Sequence, residues 1–75
     1  MKACTLIKVK PGRHEAVKDE ALKLEGVKFA FSVLGRTDVA VSVEVAGIKE
    51  LCELVLKLGG IKDVAASETL VAMEA

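Results

Sequence analysis

Apolar and polar residues alternate with a period of two in four segments of the chain, which is the pattern of half-buried β-strands. The clearest segment is Val39–Val45, where every second residue is valine, and β-branched side chains pack well on a pleated surface. The other segments are Ala3–Lys10, Val27–Leu34 and a last one from Ala65 to Met73. The pattern therefore predicts four strands.

Two further segments repeat their apolar residues at helical spacing. In the first, Arg13–Leu24, residues Val17, Ala21 and Leu24 recur at i, i+4 and i+7, and Gly26 follows at a position that favours a left-handed cap. The second helix is expected to start at Gly47, to end at Gly59-Gly60 and to bury one stripe formed by Ile48, Leu51, Cys52, Val55 and Leu58.

The predicted order is strand, helix, strand, strand, helix, strand within a single domain that covers residues 1–75. Right-handed crossover connections fold two such halves into one four-stranded antiparallel sheet with both helices on the same face. This is the ferredoxin-like α+β architecture, which dimeric α+β barrels also use. The other face of the sheet is left without a covering layer.

The uncovered face is predicted to be too apolar to remain in water. We expect the Phe29 and Phe31 row and the Val39 to Val45 row to face the helices. An exposed antiparallel face normally carries charged residues, so two copies are expected to stack these faces in a homo-oligomer. The residues expected on the uncovered face are Leu6, Ala30, Ser32, Leu34, Ala40, Ser42 and Leu70.

Composition narrows the possible partners. The chain has 11 Lys and Arg against 11 Asp and Glu, so no net positive field attracts a phosphate backbone, and direct nucleic-acid binding is not expected. No apolar run approaches the roughly 18 residues of a membrane span, and no secretory leader is recognisable, so we expect a cytoplasmic protein. The absence of Asn and Gln alongside many Lys and Glu is a pattern of hyperthermophile proteins.

Three segments together resemble the ligand-binding domain of the Lrp/AsnC transcription regulators, also called the RAM domain. They are LIKVKPGRHEAV, the loop Gly35-Arg36-Thr37-Asp38 and the final ASETLVAME. The chain starts directly at its first strand, so the resemblance is to a stand-alone form without the DNA-binding helix-turn-helix. It implies dimers that pair through their sheets and assemble into octamers or decamers. It also implies an amino-acid effector between dimers, no catalysis, and a role in regulation, with full-length regulators as further partners.

The resemblance assigns effector binding to six residues. The loop Gly35, Arg36, Thr37 and Asp38 corresponds to the family's pocket loop, where glycine lets backbone N–H groups approach a carboxylate and aspartate can accept hydrogen bonds from an ammonium group. Many members carry an aromatic residue where this chain has Thr37. The alternative for the loop is a plain hairpin turn. Hydroxyls for the ligand would come from Ser67 and Thr69, whose alternative is cross-strand pairing.

No residue pattern predicts a catalytic group, a metal site or a cofactor. Cys4 and Cys52 lie too far apart for a zinc-type pair and are expected to be buried free thiols. His14 has no second ligand or nucleophile nearby and is expected to be a solvated helix residue. A solvated surface patch, rather than a phosphate site, is the interpretation for Lys8, Lys10 and Arg13.

Two other functions remain compatible with the same residues. The first is a small enzyme of the dimeric α+β-barrel type, which would need a pocket with convergent acid–base groups. The chain has no Tyr or Trp and a single His, so it offers few such groups. The second is a purely structural oligomerisation module without any ligand.

Overall fold

The computed structural model describes residues 1–73 and confirms the ferredoxin-like βαββαβ fold. Each strand and helix lies where the apolar periodicity predicts it, with ends that differ by a few residues. The elements are β1 Lys2–Val9, α1 His14–Leu22, β2 Val27–Ser32, β3 Val39–Glu44, α2 Ile48–Gly59 and β4 Val64–Val71.

The four strands form one antiparallel sheet in the order β2-β3-β1-β4. The two central strands, β3 and β1, belong to different halves of the chain, so the sheet joins the halves side by side. Both helices lie on the same face of this sheet, because one buried cluster contains residues of both helices together with alternate residues of β1 and β3. The opposite face, which we call the open face, has no covering layer within the protomer.

The core is built from the alternating strand positions that the sequence predicts. Ile7 on β1 and Val41 on β3 are completely buried, and Thr5 is the buried polar residue among them. The helices contribute Val17 and Ala21 from α1 and three leucines from α2. The buried hydrophobic cluster is Ala3, Ile7, Val9, Val17, Ala21, Val39, Val41, Val43, Leu51, Leu54 and Leu58.

The predicted orientation of β2 is wrong, and a β-bulge is the reason. Val27 pairs with Val43, but the next pair is Phe29 with Ser42, so Lys28 is an extra residue in β2. One extra residue reverses the facing of every later side chain in a strand. Phe29 and Phe31 therefore lie on the open face, where they are 67% and 53% exposed.

The same reversal moves two residues from the open face to the helix side. Ala30 pairs with Val41 and packs against the core. Ser32 pairs with Val39 at the end of β2 and reaches the first turn of α1. Leu34 lies beyond the strand in the following loop and is fully exposed. The open face is consequently more apolar than the sequence predicts, since two phenylalanines replace an alanine and a serine.

The buried stripe of α2 also differs from the prediction. Leu51, Leu54 and Leu58 are buried, whereas Ile48 and Cys52, which the predicted stripe includes, are exposed. Apolar residues occupy more than half of the circumference of this helix, so periodicity alone allows more than one choice of inward face. The expectation of buried thiols is wrong as well, because Cys52 is exposed and Cys4, on the open face, is only half-buried.

The predicted end of the first helix needs a smaller correction. Helix α1 ends at Leu22, and Gly26, with a φ of 98°, lies in the turn that leads into β2. A Cβ at this position would lie 3.1 Å from the side chains of Leu54 and Val45.

Within residues 1–73, no helix is long and apolar enough to cross a membrane.

Candidate functional site

The six candidate residues lie at one end of the sheet and on its edge strand. Gly35 to Asp38 form the loop between β2 and β3, and Ser67 and Thr69 belong to β4. Ile7 of β1 lies between the two groups, since its carbonyl accepts the Asp38 N–H and its register partner on β4 is Ser67. Two strand spacings, about 10 Å, separate the loop base from Ser67. The fold thus brings these residues to one end without placing them in contact.

Asp38 holds the base of the loop against β1. Its carboxylate Oδ2 accepts the backbone N–H of Val9 at 2.8 Å, and its own N–H donates to the carbonyl of Ile7 at 2.8 Å. Its carbonyl also accepts the N–H of Val33 at 3.0 Å. A hydrogen bond to a charged acceptor is stronger than one between neutral groups. Asp38 is therefore a structural residue of the hairpin, and this bond uses only one of its two carboxylate oxygens.

The tip of the loop projects into solvent. Leu34 and Arg36 are exposed, and Thr37 is half-buried. Gly35 has a φ of 145°, a conformation that favours glycine, and a Cβ there would meet open space. Arg36 forms no salt bridge within the described part of the chain. The tip thus offers an uncommitted guanidinium beside an apolar side chain.

The two hydroxyl residues on β4 differ in availability. Thr69 Oγ1 lies 2.9 Å from Oγ1 of Thr5, its register partner on β1, and Thr5 is completely buried. This pair agrees with the cross-strand interpretation of Thr69. Ser67 is exposed and pairs in register with Ile7. Of the two, Ser67 is the hydroxyl that a ligand could reach directly.

A polar network joins the start of α1 to the end of β2, and sequence reasoning missed it. Ser32 Oγ donates to Glu15 Oε1 at 3.2 Å and lies 2.9 Å from His14 Nδ1. Since a hydroxyl has one proton, His14 donates to Ser32 in this arrangement. Lys18 Nζ donates to Glu15 Oε2 at 2.6 Å, and this bond is the first reason that the pKa of Glu15 is lowered. The sequence pattern places Ser32 on the uncovered face, because it does not reveal the bulge at Lys28.

A second ionic contact ties the turn after β1 to the turn before β4. Arg13 Nε donates to Asp63 Oδ2 at 2.7 Å, and the N–H of Lys10 donates to the carbonyl of Asp63 at 3.0 Å. Asp63 has a φ of 75°, which is uncommon for a residue with a side chain. The hydrogen bond from Arg13 is the main reason that the pKa of Asp63 is lowered. Arg13 of the predicted basic patch is therefore engaged within the protomer.

Replacing Arg13 by Gln is expected to raise the pKa of Asp63 towards its ordinary value of 3.8. A carboxylate whose folded pKa is lowered stabilises the fold above its unfolded pKa, and this contribution disappears as the pH falls through the folded pKa. The stability advantage of the wild type over Arg13→Gln should therefore be present at neutral pH and vanish in acid. Carboxyl NMR titration and urea unfolding at several pH values measure both effects.

Lys18→Gln is the matched control for this titration, because Lys18 bonds to Glu15 and not to Asp63. It should raise the pKa of Glu15 and leave that of Asp63 unchanged. An Asp63 titration that is identical in the wild type and in Arg13→Gln would contradict the assignment of this ion pair.

The open face presents a continuous apolar surface beside the candidate loop. Leu6, Ala40, Ser42 and Leu70 lie there, as the sequence predicts. Phe29, Phe31 and Leu70 are more than half exposed in the protomer. Large exposed apolar patches are characteristic of protein–protein, membrane or ligand-binding surfaces. Two rows cross it, Phe31-Ala40-Leu6-Glu68 and Phe29-Ser42-Cys4-Leu70.

Two surface clefts are lined by residues other than the six candidates. One, of about 450 Å³, lies between α2 and the strand ends at Gly26 and Glu44. The other, of about 590 Å³, lies between α1 and the turn at Gly60 to Lys62. Within residues 1–73, no group of three or more His, Cys, Asp and Glu side chains is placed to hold a metal ion.

The sheet order and the placement of both helices on one face define a ferredoxin-like α+β domain whose second sheet face is exposed and apolar. Residues 2–75 match the family model described as the Lrp/AsnC ligand binding domain. The chain therefore belongs to the Lrp/AsnC ligand-binding domain family. Domains of this family typically form oligomers and are typically non-catalytic.

Solved structures agree with this assignment. The chain is similar to TTHA0845 from Thermus thermophilus, at 28% identity and a TM-score of 0.93 over 99% of this chain and 94% of that one. It is also similar to the hypothetical protein PHS023 from Pyrococcus horikoshii, at 25% identity and a TM-score of 0.89 over 99% and 90% of the two chains.

A third structure, AsnC from E. coli, has the same fold at 18% identity and a TM-score of 0.90. The match covers 99% of this chain and 51% of AsnC, so the chain corresponds to about half of that protein. No curated protein matches the chain.

Proposed function

We propose that this domain senses an amino-acid effector as a homo-oligomer and modulates transcription regulation of the Lrp/AsnC type, without catalysing a reaction. The observation that carries the proposal is the match of residues 2–75 to a ligand-binding domain, combined with an open face whose apolar side chains are exposed in the protomer. The partners would be further copies of the chain and full-length regulators of the same family. The proposed location is the cytoplasm.

The proposed assembly begins with two copies that stack their open faces. This pairing would remove Phe29, Phe31 and Leu70 from water, which is favourable in proportion to the apolar area buried. Further association of such dimers, to an octamer or decamer, would then create clefts between neighbours. The exposed tip of the candidate loop supports this arrangement, since a neighbouring copy could approach it.

Each candidate residue has a proposed role in such a cleft. Arg36 would pair with the effector carboxylate, aided by backbone N–H groups at Gly35 and Thr37. Asp38 would position the loop through its bond to Val9, with its second oxygen free for an ammonium group. From β4, the hydroxyl of Ser67 would reach the ligand, with Thr69 behind it.

The experiment is a thermal-shift screen with the twenty amino acids, followed by calorimetry on any that stabilise the protein. A ligand at 100 times its Kd should stabilise the folded state by about 2.7 kcal/mol. Arg36→Gln should weaken ligand binding by about tenfold or more, because it removes the uncommitted cation from the loop, and a hydrogen bond to a charged group contributes about 1.5–3 kcal/mol. Lys28→Gln, at the other end of β2, removes the same charge and should respond like the wild type. A native oligomer that no amino acid stabilises would count against sensing.

A second candidate, a purely structural oligomerisation module, is favoured by one observation. Asp38 and Thr69 already use their polar groups inside the protomer, so these two residues would be explained without any ligand. The thermal-shift screen distinguishes the structural module from the amino-acid sensor. A structural module gives no ligand response in the wild type or in any loop variant, while its assembly is unaffected by Arg36→Gln.

A further inference from the structure

Helix α2 carries a second apolar stripe that points into solvent. Ile48 is 61% exposed and Leu56 is 77% exposed, and Cys52, midway between them, is also exposed. The three residues are spaced at i, i+4 and i+8, so they form one line along the helix. We call them the outer stripe. The helix buries a different row, Leu51, Leu54 and Leu58, so the outer stripe is not needed for the core of the protomer.

The outer stripe lies on the side of α2 that faces away from the first half of the chain. The opposite side of the helix lines the cleft beside Gly26 and Glu44, and its lining residues are Glu50, Glu53, Leu54 and Lys57. On a helical projection the outer stripe and these charged cleft residues lie on opposite sides of the buried row. The outer stripe therefore points towards the edge strand β4. Because α2 lies on the face of the sheet opposite the open face, stacking two open faces would leave the outer stripe in water.

We propose that α2 packs antiparallel against α2 of a second copy, around a two-fold axis near Cys52. In this arrangement Ile48 of each helix meets Leu56 of the other. A two-fold contact requires a surface that is complementary to itself, and the outer stripe is nearly symmetric about its centre. The contact does not depend on the open face, but it would link sheet-paired dimers into a larger assembly if the proposed pairing exists.

The charges beside the outer stripe favour a second copy in the antiparallel orientation. Lys49 lies beside the stripe on its solvent side, and Glu53 lies between Lys49 and the cleft. Neither forms a salt bridge among the described residues. Antiparallel packing brings Lys49 of each helix towards Glu53 of the other, because residues on the same flank meet across an antiparallel pair, whereas parallel packing would leave both charges without a partner on the facing helix. The chain has equal numbers of basic and acidic residues, so no net charge opposes the approach of another copy.

The area of the outer stripe indicates the strength of this contact. Three side chains cover far less than the roughly 800 Å² per partner that a stable interface buries. The contact should therefore be weak between single copies and become effective when each assembly presents more than one α2. Association through α2 is thus expected to depend on protein concentration.

The first test uses light scattering and sedimentation across a range of protein concentrations. Leu56→Glu should remove the association that grows with concentration and leave the thermal unfolding midpoint close to that of the wild type, since the side chain is mostly exposed. Lys57→Gln, on the cleft side of the same helix, changes the net charge by the same amount and should assemble like the wild type. Identical masses for the wild type and Leu56→Glu at every concentration would overturn the proposal.

The second test reverses the flanking charges. Glu53→Lys places Lys49 opposite a lysine and should weaken the α2 association roughly three- to tenfold. The double variant Lys49→Glu with Glu53→Lys restores opposite charges across the axis and should recover the wild-type association. Failure of the double variant to recover it would exclude the antiparallel arrangement.

The third test uses the thiol at the axis. In a Cys4→Ser background, a short bis-maleimide should join Cys52 of one copy to Cys52 of the other, and Leu56→Glu should reduce the yield severalfold. This readout also separates the two proposals, because it is insensitive to open-face pairing and to ligand response. If the cross-linking yield is the same with and without Leu56→Glu, whether low or high, the α2 contact is overturned. This result would leave the proposed open-face pairing unaffected.

Discussion

Replacing Phe31 by Glu is expected to convert the proposed sheet-paired dimer into monomers. Phe31 lies on the open face beside Ala40 and is 53% exposed in the protomer, so pairing would bury the rest of the ring. Burying a fully exposed side chain of this size contributes about 1.5–3 kcal/mol, so burying the remaining half contributes about 0.8–1.6 kcal/mol, and two-fold symmetry doubles this to about 1.6–3.2 kcal/mol. The dissociation constant should therefore rise at least about 15- to 200-fold. Sedimentation equilibrium at micromolar concentration measures this change.

Leu22→Glu is the control for this prediction, because Leu22 is a half-exposed apolar residue on α1, which lies on the opposite face of the sheet. It adds the same charge and should leave the dimer intact. Circular dichroism should find native secondary structure in both variants. A dimer that survives Phe31→Glu, or one that Leu22→Glu disrupts to the same extent, would contradict pairing through the open face.

Replacing Asp38 by Ala is expected to lower the free energy of unfolding by about 2 kcal/mol, the value of a hydrogen bond to a charged group. The substitution removes the acceptor of the Val9 N–H at the point where β1 ends. For a chain of this length, total stability is about 4–11 kcal/mol, so the loss would be a large fraction. Urea unfolding measures it directly.

Asp38→Asn keeps an acceptor oxygen in the same place and should retain part of the stability that Asp38→Ala loses. Arg36→Ala, in the same loop, should have little effect on unfolding. Comparing Asp38→Ala with Arg36→Ala also decides how ligand data are interpreted. Loss of binding in Asp38→Ala alone could follow from a displaced loop. Equal stability of Asp38→Ala and the wild type would show that the bond to Val9 contributes little.

Local signals were sufficient to predict the element order and the family. Alternation identified the strands, and the valine row at Val39, Val41 and Val43 is buried as predicted. Pro11-Gly12 and Gly59-Gly60 mark the turns after β1 and α2. The segments around the first turn, the Gly35 to Asp38 loop and β4 identified the family that the whole-chain match confirms. Each of these signals depends on residues that are close in sequence.

The candidate site was predictable only as a set of residues. The resemblance named Gly35 to Asp38, Ser67 and Thr69, and these assignments to an effector remain predictions. The hydrogen bond from Val9 to Asp38 joins residues 29 positions apart, and the Thr5 to Thr69 contact joins residues 64 positions apart. The periodicity of apolar residues cannot indicate contacts between residues so far apart in the sequence. The ion pair between Arg13 and Asp63 was hidden for the same reason.

The sequence by itself determined which residues share a face of β1, β3, β4 and the two helices, because side-chain direction follows the backbone period. Only the tertiary structure decided which of those faces meets the core. The extra residue at Lys28 turned Phe29 and Phe31 to the open face, and the sheet selected the Leu51, Leu54 and Leu58 row of α2 and left Ile48 and Leu56 outside. Both choices depend on partners distant in sequence, and the free energy of burial is gained only when those partners meet.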